Sequence, residues 1–372
     1  MSKTILLTAG GTGGHLFPAE ALAHELVRRG WTVDLATDER ADRYGTSFPA
    51  REVHIIASET LRSKSPVAVL KTVLSLARGT LQARRVIRKI KPAVVVGFGG
   101  YPTFPPMMAA RMTGVPSILH EANAVMGRAN RMLAKGVTRV ATSLTLVNPD
   151  AALTPKIRET GNPVRPPVVE AASVPYAVPQ AGGAFHLLVF GGSQGARFFS
   201  DVMPEAVKLL SPEHRARLKL VQQCRPEDLD RVKGAFEALG LSAELAPFFR
   251  DMPARIAASQ LVICRSGASS VSELSVIGRP SILVPLPNAL DQDQSNNARV
   301  LEAAGGAWPV AQKDLTPQRL AAELTRLMDE PSTLQAAAAA ARGQGKPDAV
   351  ARLADLVEET ARFNTTDKGD RA

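Results

Sequence analysis

The residues best able to do chemistry fall in short glycine- and serine-rich turns. Gly10-Gly11-Thr12-Gly13-Gly14-His15 follows the apolar run Ile5–Leu7 and puts four glycines in six residues. Glycines there let backbone N–H groups approach an anion, and a following helix adds its positive end. No Gly-Lys-Ser/Thr follows, so the turn is not a P-loop. Counted from Gly11, the third glycine of a dinucleotide fingerprint is replaced by Leu16, which disfavours a nicotinamide cofactor. Phosphate binding is the expected role. His15, at the edge of the turn, suits either donation to an anion or general-base work.

Gly97-Phe98-Gly99-Gly100-Tyr101-Pro102 suggests a second close backbone approach in the same half of the chain. Gly191-Gly192-Ser193-Gln194-Gly195-Ala196-Arg197 mirrors the first turn; Ser193 either binds phosphate or caps the next helix. Arg265-Ser266-Gly267-Ala268-Ser269-Ser270-Val271-Ser272-Glu273 reads as a diphosphate seat of small residues and unpaired N–H groups opening a helix. Within it Ser270-x-x-Glu273 has the spacing of a capping box, and spacing alone makes Glu273 a structural residue. Asp291-Gln292-Asp293-Gln294-Ser295-Asn296-Asn297 offers carboxamides, which both donate to and accept from sugar hydroxyls; a polar helix start has the same composition.

Positioning these turns requires strands. Ile5–Leu7, Val33–Ala36, Ala93–Val96, Ser117–Leu119 and Val137–Ala141 read as buried parallel strands, with helices over Pro18–Arg29 and Val67–Ile90 between them. The alternation stalls at the proline-rich Gly161–Ala184, expected to be an interdomain linker. It resumes at His186–Phe190, Leu218–Gln222, Leu261–Cys264 and Ser281–Val284. Ala336–Ala341 and Asp348–Phe363 look helical, and the tail from Asn364 looks disordered. The chain of 372 residues, 45% apolar, thus reads as two doubly wound α/β domains flanking a cleft, with ligands beyond the carboxyl ends of the strands. Cys224 and Cys264 sit in apolar stretches, as in a reduced cytosolic protein. The start of the chain does not read as a signal peptide, and no apolar run is long enough to span a bilayer. The expected protein is cytoplasmic, and neither a metal nor a cofactor is expected.

The charge is localised. Thr60–His120 carries ten of the 45 basic residues and no acidic one, which leaves the rest of the chain balanced against its 35 acidic residues. An anionic surface is the natural partner. Phe98, Tyr101 and Phe104 share one loop instead of being interleaved with the cations, so lipid is favoured over nucleic acid. Lys71, Arg78 and Arg85 recur every seven residues with Leu74 and Leu81 beside them, a mixed stripe suited to a membrane interface.

Taken in order along the chain, these motifs resemble those of the MurG family of peptidoglycan N-acetylglucosaminyltransferases. His120-Glu121-Ala122-Asn123 and Gly161-Asn162-Pro163-Val164-Arg165 complete the set. The resemblance spans almost the whole chain. It implies a GT-B fold with two Rossmann-like domains, 1–163 on the acceptor and membrane side and 164–345 holding the UDP-sugar, with helix 348–363 packing back on the first. It implies UDP-N-acetylglucosamine as donor and lipid I, undecaprenyl-pyrophosphoryl-N-acetylmuramyl-pentapeptide, as acceptor, with inversion at the sugar. It also implies a place on the cytoplasmic face of the inner membrane, on anionic lipid, among other cell-wall synthesis proteins. By motif, donor contacts fall to Thr12, Gly13, Gly14, Asn123, Arg165, Ser193, Phe249, Ala268, Ser269, Ser270, Val271, Ser272, Glu273 and Gln294. Phe249 would contact uracil through its backbone, and Glu273 would accept from the ribose hydroxyls, against the capping reading. Gly11, Gly99, Gly100 and Tyr101 would form the acceptor diphosphate loops, and His15 is the candidate base. Ala122 stands where the family commonly has Gln, and Gln292-Asp293 replaces a more usual acidic–His or Arg–Gln pair. A UDP-N-acetylglucosamine epimerase shares this architecture and is the main alternative; a non-catalytic nucleotide- or nucleic-acid-binding protein is the other.

Overall fold

The computed structural model describes residues 3–10, 13–39, 48–59, 65–192, 196–287 and 292–366. The chain divides into two compact units, Met1–Arg165 with Pro347–Ala372, and Pro166–Lys346.

The first unit carries β1 (Thr4–Thr8), β2 (Thr32–Thr37), β3 (Val53–Ile55), β4 (Val94–Gly97), β5 (Ser117–Glu121), β6 (Arg139–Thr142) and β7 (Ile157–Glu159). They form a parallel sheet in the order β3-β2-β1-β4-β5-β6-β7. Alternate residues of β1 feed two cores, as a sheet covered on both faces requires. Ile5 and Leu7 pack with Leu22 and Leu26 of helix Gly13–Arg28 and with Leu353 and Val357 of helix Ala349–Thr366. Leu6 packs with Ala83 and Ile87 of helix Pro66–Ile90 and with Met107 and Ala110 of helix Phe104–Thr113. The C-terminal helix is held further by Arg29 to Asp355 at 2.6 Å and by the Trp31 indole to Glu358 at 3.2 Å.

Helix Pro66–Ile90 passes the segment before it at Gly79, where a Cβ would lie 2.0 Å from the Ala57 carbonyl oxygen. That contact is with backbone and has no flexible partner to move. Gly79→Ala is expected to cost roughly 1–3 kcal/mol of stability. Thermal unfolding checks this; an unchanged melting temperature would mean the helix shifts freely.

The second unit carries β8 (Phe185–Phe190), β9 (Leu218–Gln223), β10 (Glu244–Ala246), β11 (Leu261–Cys264), β12 (Ser281–Leu283) and β13 (Ala307–Pro309). This sheet is also parallel, in the order β10-β9-β8-β11-β12-β13. Phe185, Leu187 and Val189 pack with Phe199, Met203 and Val207 on one face.

The sequence reading differs from this in three places. Gly161–Ala184 is not a bare linker. Pro166–Ala171 forms a helix that opens on two prolines, a position where their missing N–H groups are no loss. Val168 is fully buried there, and the Arg279 and Arg342 guanidiniums donate to the carbonyls of Val174, Pro175 and Ala172. Fully buried Arg279 donates six hydrogen bonds, two to the carbonyls of Val174 and Pro175 and four to those of Ala257, Ile277 and Gly278, so the segment is fastened to the second unit. Second, the first helix starts at Gly13, not Pro18, which it accommodates near its start. Third, helix Ala349–Thr366 continues past Asn364, where a disordered tail was expected.

Candidate functional site

In each unit the strand order runs outward in opposite directions from one central pair, β1/β4 in the first and β8/β11 in the second. Ligands of such sheets bind at this reversal, beyond the carboxyl ends of the strands. The glycine turns after β1, β4 and β8 and the serine-rich turn after β11 stand at these reversals.

In the first unit the half-buried His15 ring lies against three glycines. A Cβ on Gly99 would be 3.3 Å from His15 Nε2, and Cβ atoms on Gly10 and Gly100 would be 3.6 Å from Nδ1. Gly99 and Gly100 have φ of +91° and +78°, a region that L side chains rarely adopt. The turn is fixed by the Thr103 hydroxyl, which donates to the Gly99 carbonyl at 2.7 Å. Tyr101, half-buried, opens the helical turn Tyr101–Thr103. Gly13 is buried against the Phe17 ring, while Gly14 is exposed. The Arg165 guanidinium lies 4.7 Å over the same Phe17 ring, which brings Arg165 to the first helix.

A polar network continues from β5. Buried Glu121 accepts from the Asn123 N–H and Nδ2 at 3.0 and 3.3 Å, the Gly127 N–H at 3.0 Å and Asn130 Nδ2 at 2.7 Å. Burial pushes its carboxyl upward against these four donors, which favour the anion. Asn123 is therefore held in place by Glu121, a positioning contact that the motif alone did not show. His120 is fully enclosed, with Nε2 3.2 Å from the Ser143 hydroxyl. Burial first, and then the neighbouring His15, bring its pKa down to about 4, so it is neutral at pH 7.

In the second unit, helix Ala268–Ile277 begins at Gly267, which has no side chain to cap its first N–H groups. A helix start of that kind is a seat for an anion. Ala268, Ser269 and Ser270 are half-buried around it. With Gly267 as the cap, Ser270 is the third residue of the helix, and the Ser270–Glu273 capping box is not formed. Glu273, half-buried, stands in the second turn. Ser272 donates back to the Ala268 carbonyl at 2.8 Å. Val271 is fully buried, and its N–H bonds the Gly267 carbonyl.

Braces missed at the sequence level hold this seat. Buried Asn297 donates to the Ser266 carbonyl at 3.2 Å, and Arg265 donates to the carbonyls of Val284 and Pro285 and to Gln312. Gln294 accepts from the Leu286 N–H at 2.9 Å, which fixes the loop after β12. Phe249 is buried beneath the Arg255 guanidinium, 4.2 Å above its ring. Thr12, Gly11 and Ser193 lie outside the described residues. So does Asp291.

Among the described residues, Asp34, Glu52 and His54 bring metal-ligand atoms within 4.8 Å of one another. Asp34 lies on β2, His54 on β3 and Glu52 just before it, and the two carboxylates are paired with Arg51 and Lys89. Buried Cys264 has its thiol pushed up by burial, which makes it inert at neutral pH.

Two doubly wound parallel sheets, each with glycine- or serine-rich turns at its reversal, are the architecture of the GT-B class. The chain belongs to glycosyltransferase family 28: residues 5–142 match the family's N-terminal domain and residues 186–353 its C-terminal domain. It is 57% identical to the UDP-N-acetylglucosamine–N-acetylmuramyl-(pentapeptide) pyrophosphoryl-undecaprenol N-acetylglucosamine transferase of Sinorhizobium fredii, over 98% of this chain and 97% of that one. The Rhodopseudomonas palustris enzyme of the same name is 56% identical, over 97% and 96% of the two chains. The crystal structure of Acinetobacter baumannii MurG superposes with a TM-score of 0.78 at 28% identity, covering 96% of this chain and 99% of that one. A UDP-GlcNAc 2-epimerase from Neisseria meningitidis shares the fold alone, at 15% identity over 96% and 99% of the chains and a TM-score of 0.66.

Proposed function

We propose that this chain transfers N-acetylglucosamine from UDP-N-acetylglucosamine to undecaprenyl-pyrophosphoryl-N-acetylmuramyl-pentapeptide, the step that completes the lipid-linked disaccharide for peptidoglycan. The observation that carries this reading is full-length identity above half to transferases of that activity. The epimerase reading has only the fold in common.

The donor diphosphate sits at the start of helix Ala268–Ile277, where the first N–H groups and the helix dipole stabilise the charge that develops on departing UDP. Ser269 and Ser270 line that seat, Glu273 accepts from the ribose hydroxyls, Phe249 offers backbone to uracil, and Gln294 meets the sugar. Gly99, Gly100 and Tyr101 receive the acceptor diphosphate. The acceptor's sugar hydroxyl loses its proton to His15 and attacks the anomeric carbon; the C–O bond to UDP breaks, and the configuration inverts. UDP release measured with and without a lipid I analogue tests the reading. A transferase releases UDP only with acceptor, whereas an epimerase changes the donor sugar without it.

The same reading places the enzyme on the cytoplasmic membrane face without insertion. No described helix is long and apolar enough to cross a membrane. On helix Pro66–Ile90, Leu74 and Leu81 are 61% and 54% exposed, beside exposed Lys71, Arg78 and Arg85. Ala83 and Ile87, not these leucines, face the core. Each cation near an anionic surface is worth roughly 1 kcal/mol. Co-sedimentation with anionic vesicles should be strong at low salt, fall as salt rises, and weaken when Lys71, Arg78 and Arg85 become Glu. Equal binding to neutral vesicles, or none at low salt, would remove the lipid role.

A further inference from the structure

Buried Gln223 ends β9 between two loops assigned above to the donor. Its Oε1 accepts from the Gly191 N–H at 3.2 Å, where the glycine turn after β8 begins. Its Nε2 donates to the Pro247 carbonyl at 3.0 Å, in the loop that leads from β10 to Phe249. The amide orientation is fixed, because only Oε1 can accept from Gly191 and only Nε2 can donate to Pro247. β9 lies between β8 and β10, so one carboxamide spans both neighbours. An enclosed carboxamide with both ends used defines one relative placement of the two loops; shifting either leaves a polar group buried and unpaired.

We infer that Gln223 is a positioning residue that couples the glycine turn to the nucleobase loop, and so sets both UDP affinity and the preference for uracil. This rests on the donor reading of those loops. A diphosphate needs the turn at Gly191 and a base needs the loop at Phe249. A nucleotide engages both together only when their spacing is held.

The test compares UDP and CDP affinity, donor KM and melting temperature in the full chain for Gln223→Leu, Gln223→Glu and the control Gln222→Leu. Gln222 is equally buried one position earlier, on the opposite face of the strand. Gln223→Leu should weaken UDP roughly tenfold and reduce the UDP-over-CDP preference by about threefold or more, with acceptor KM unchanged. Gln223→Glu keeps the acceptor for Gly191 and loses the donor to Pro247, so it too should lower the preference. Gln222→Leu should leave the preference intact even if it lowers the melting temperature. If Gln223 variants fold and keep the wild-type preference, Gln223 is only a structural residue and the inference is overturned. Hydrogen exchange on the wild type needs no variant. Uridine, which has no phosphate, should slow exchange at Gly191 as well as at Phe248 and Phe249, and slowing confined to Phe248 and Phe249 would also overturn it. A wild-type chain that does not bind UDP would instead defeat the donor reading itself.

Discussion

His15→Ala is expected to lower turnover by about a hundred- to ten-thousand-fold, the usual loss when a general base is removed, while donor affinity stays near normal. The ring lies against Gly10, Gly99 and Gly100, at the reversal of the first sheet. A side chain on Gly99 would crowd it, with a Cβ 3.3 Å from the ring. Its neighbour His120 is enclosed and neutral, with a pKa near 4, so His120 cannot take over as a base in contact with solvent. The helix start proposed to hold the donor diphosphate belongs to the second unit, and His15 belongs to the first. Loss should therefore appear in kcat with donor Kd unchanged. His15→Gln, which keeps bulk and hydrogen bonding but cannot accept a proton at neutral pH, should be as inactive. Equal losses in turnover and donor affinity would make His15 a binding residue.

Glu273→Ala should weaken UDP-N-acetylglucosamine by roughly 1.5–3 kcal/mol, the worth of a charge-assisted hydrogen bond. With Gly267 as the helix cap, the residue has no capping duty at the helix start, so stability should fall much less than affinity. Donor titration and thermal unfolding on the same samples separate the two. Unchanged titration with a lower melting temperature would return Glu273 to a structural role.

The central strands were legible in the sequence because both faces are buried. Ile5–Leu7 and Leu261–Cys264 read as apolar runs for that reason, and β11 has the very bounds expected. The strands missed were β3, β7, β10 and β13, which are the outer edges of the two sheets. Each has three residues, too few for a period to show, and they carry Glu159, Glu244 and Pro309 in place of apolar runs. The glycine turns were legible because backbone conformation and close approach leave no other choice at Gly99 and Gly100. Gln223, Glu121 and Asn297 were not. Their roles depend on partners such as Pro247, Gly127 and Ser266, which only the folded sheet brings near. The capping-box spacing at Ser270–Glu273 misled for a related reason: Gly267 starts the helix earlier.

The most direct test of the central claim is transfer of labelled N-acetylglucosamine from UDP to a lipid I analogue, followed by analysis of the lipid-linked product. The expected result is acceptor-dependent formation of a β-linked disaccharide with release of one UDP for each sugar transferred. Donor turnover without acceptor, or a labelled sugar that never reaches the lipid, would contradict it.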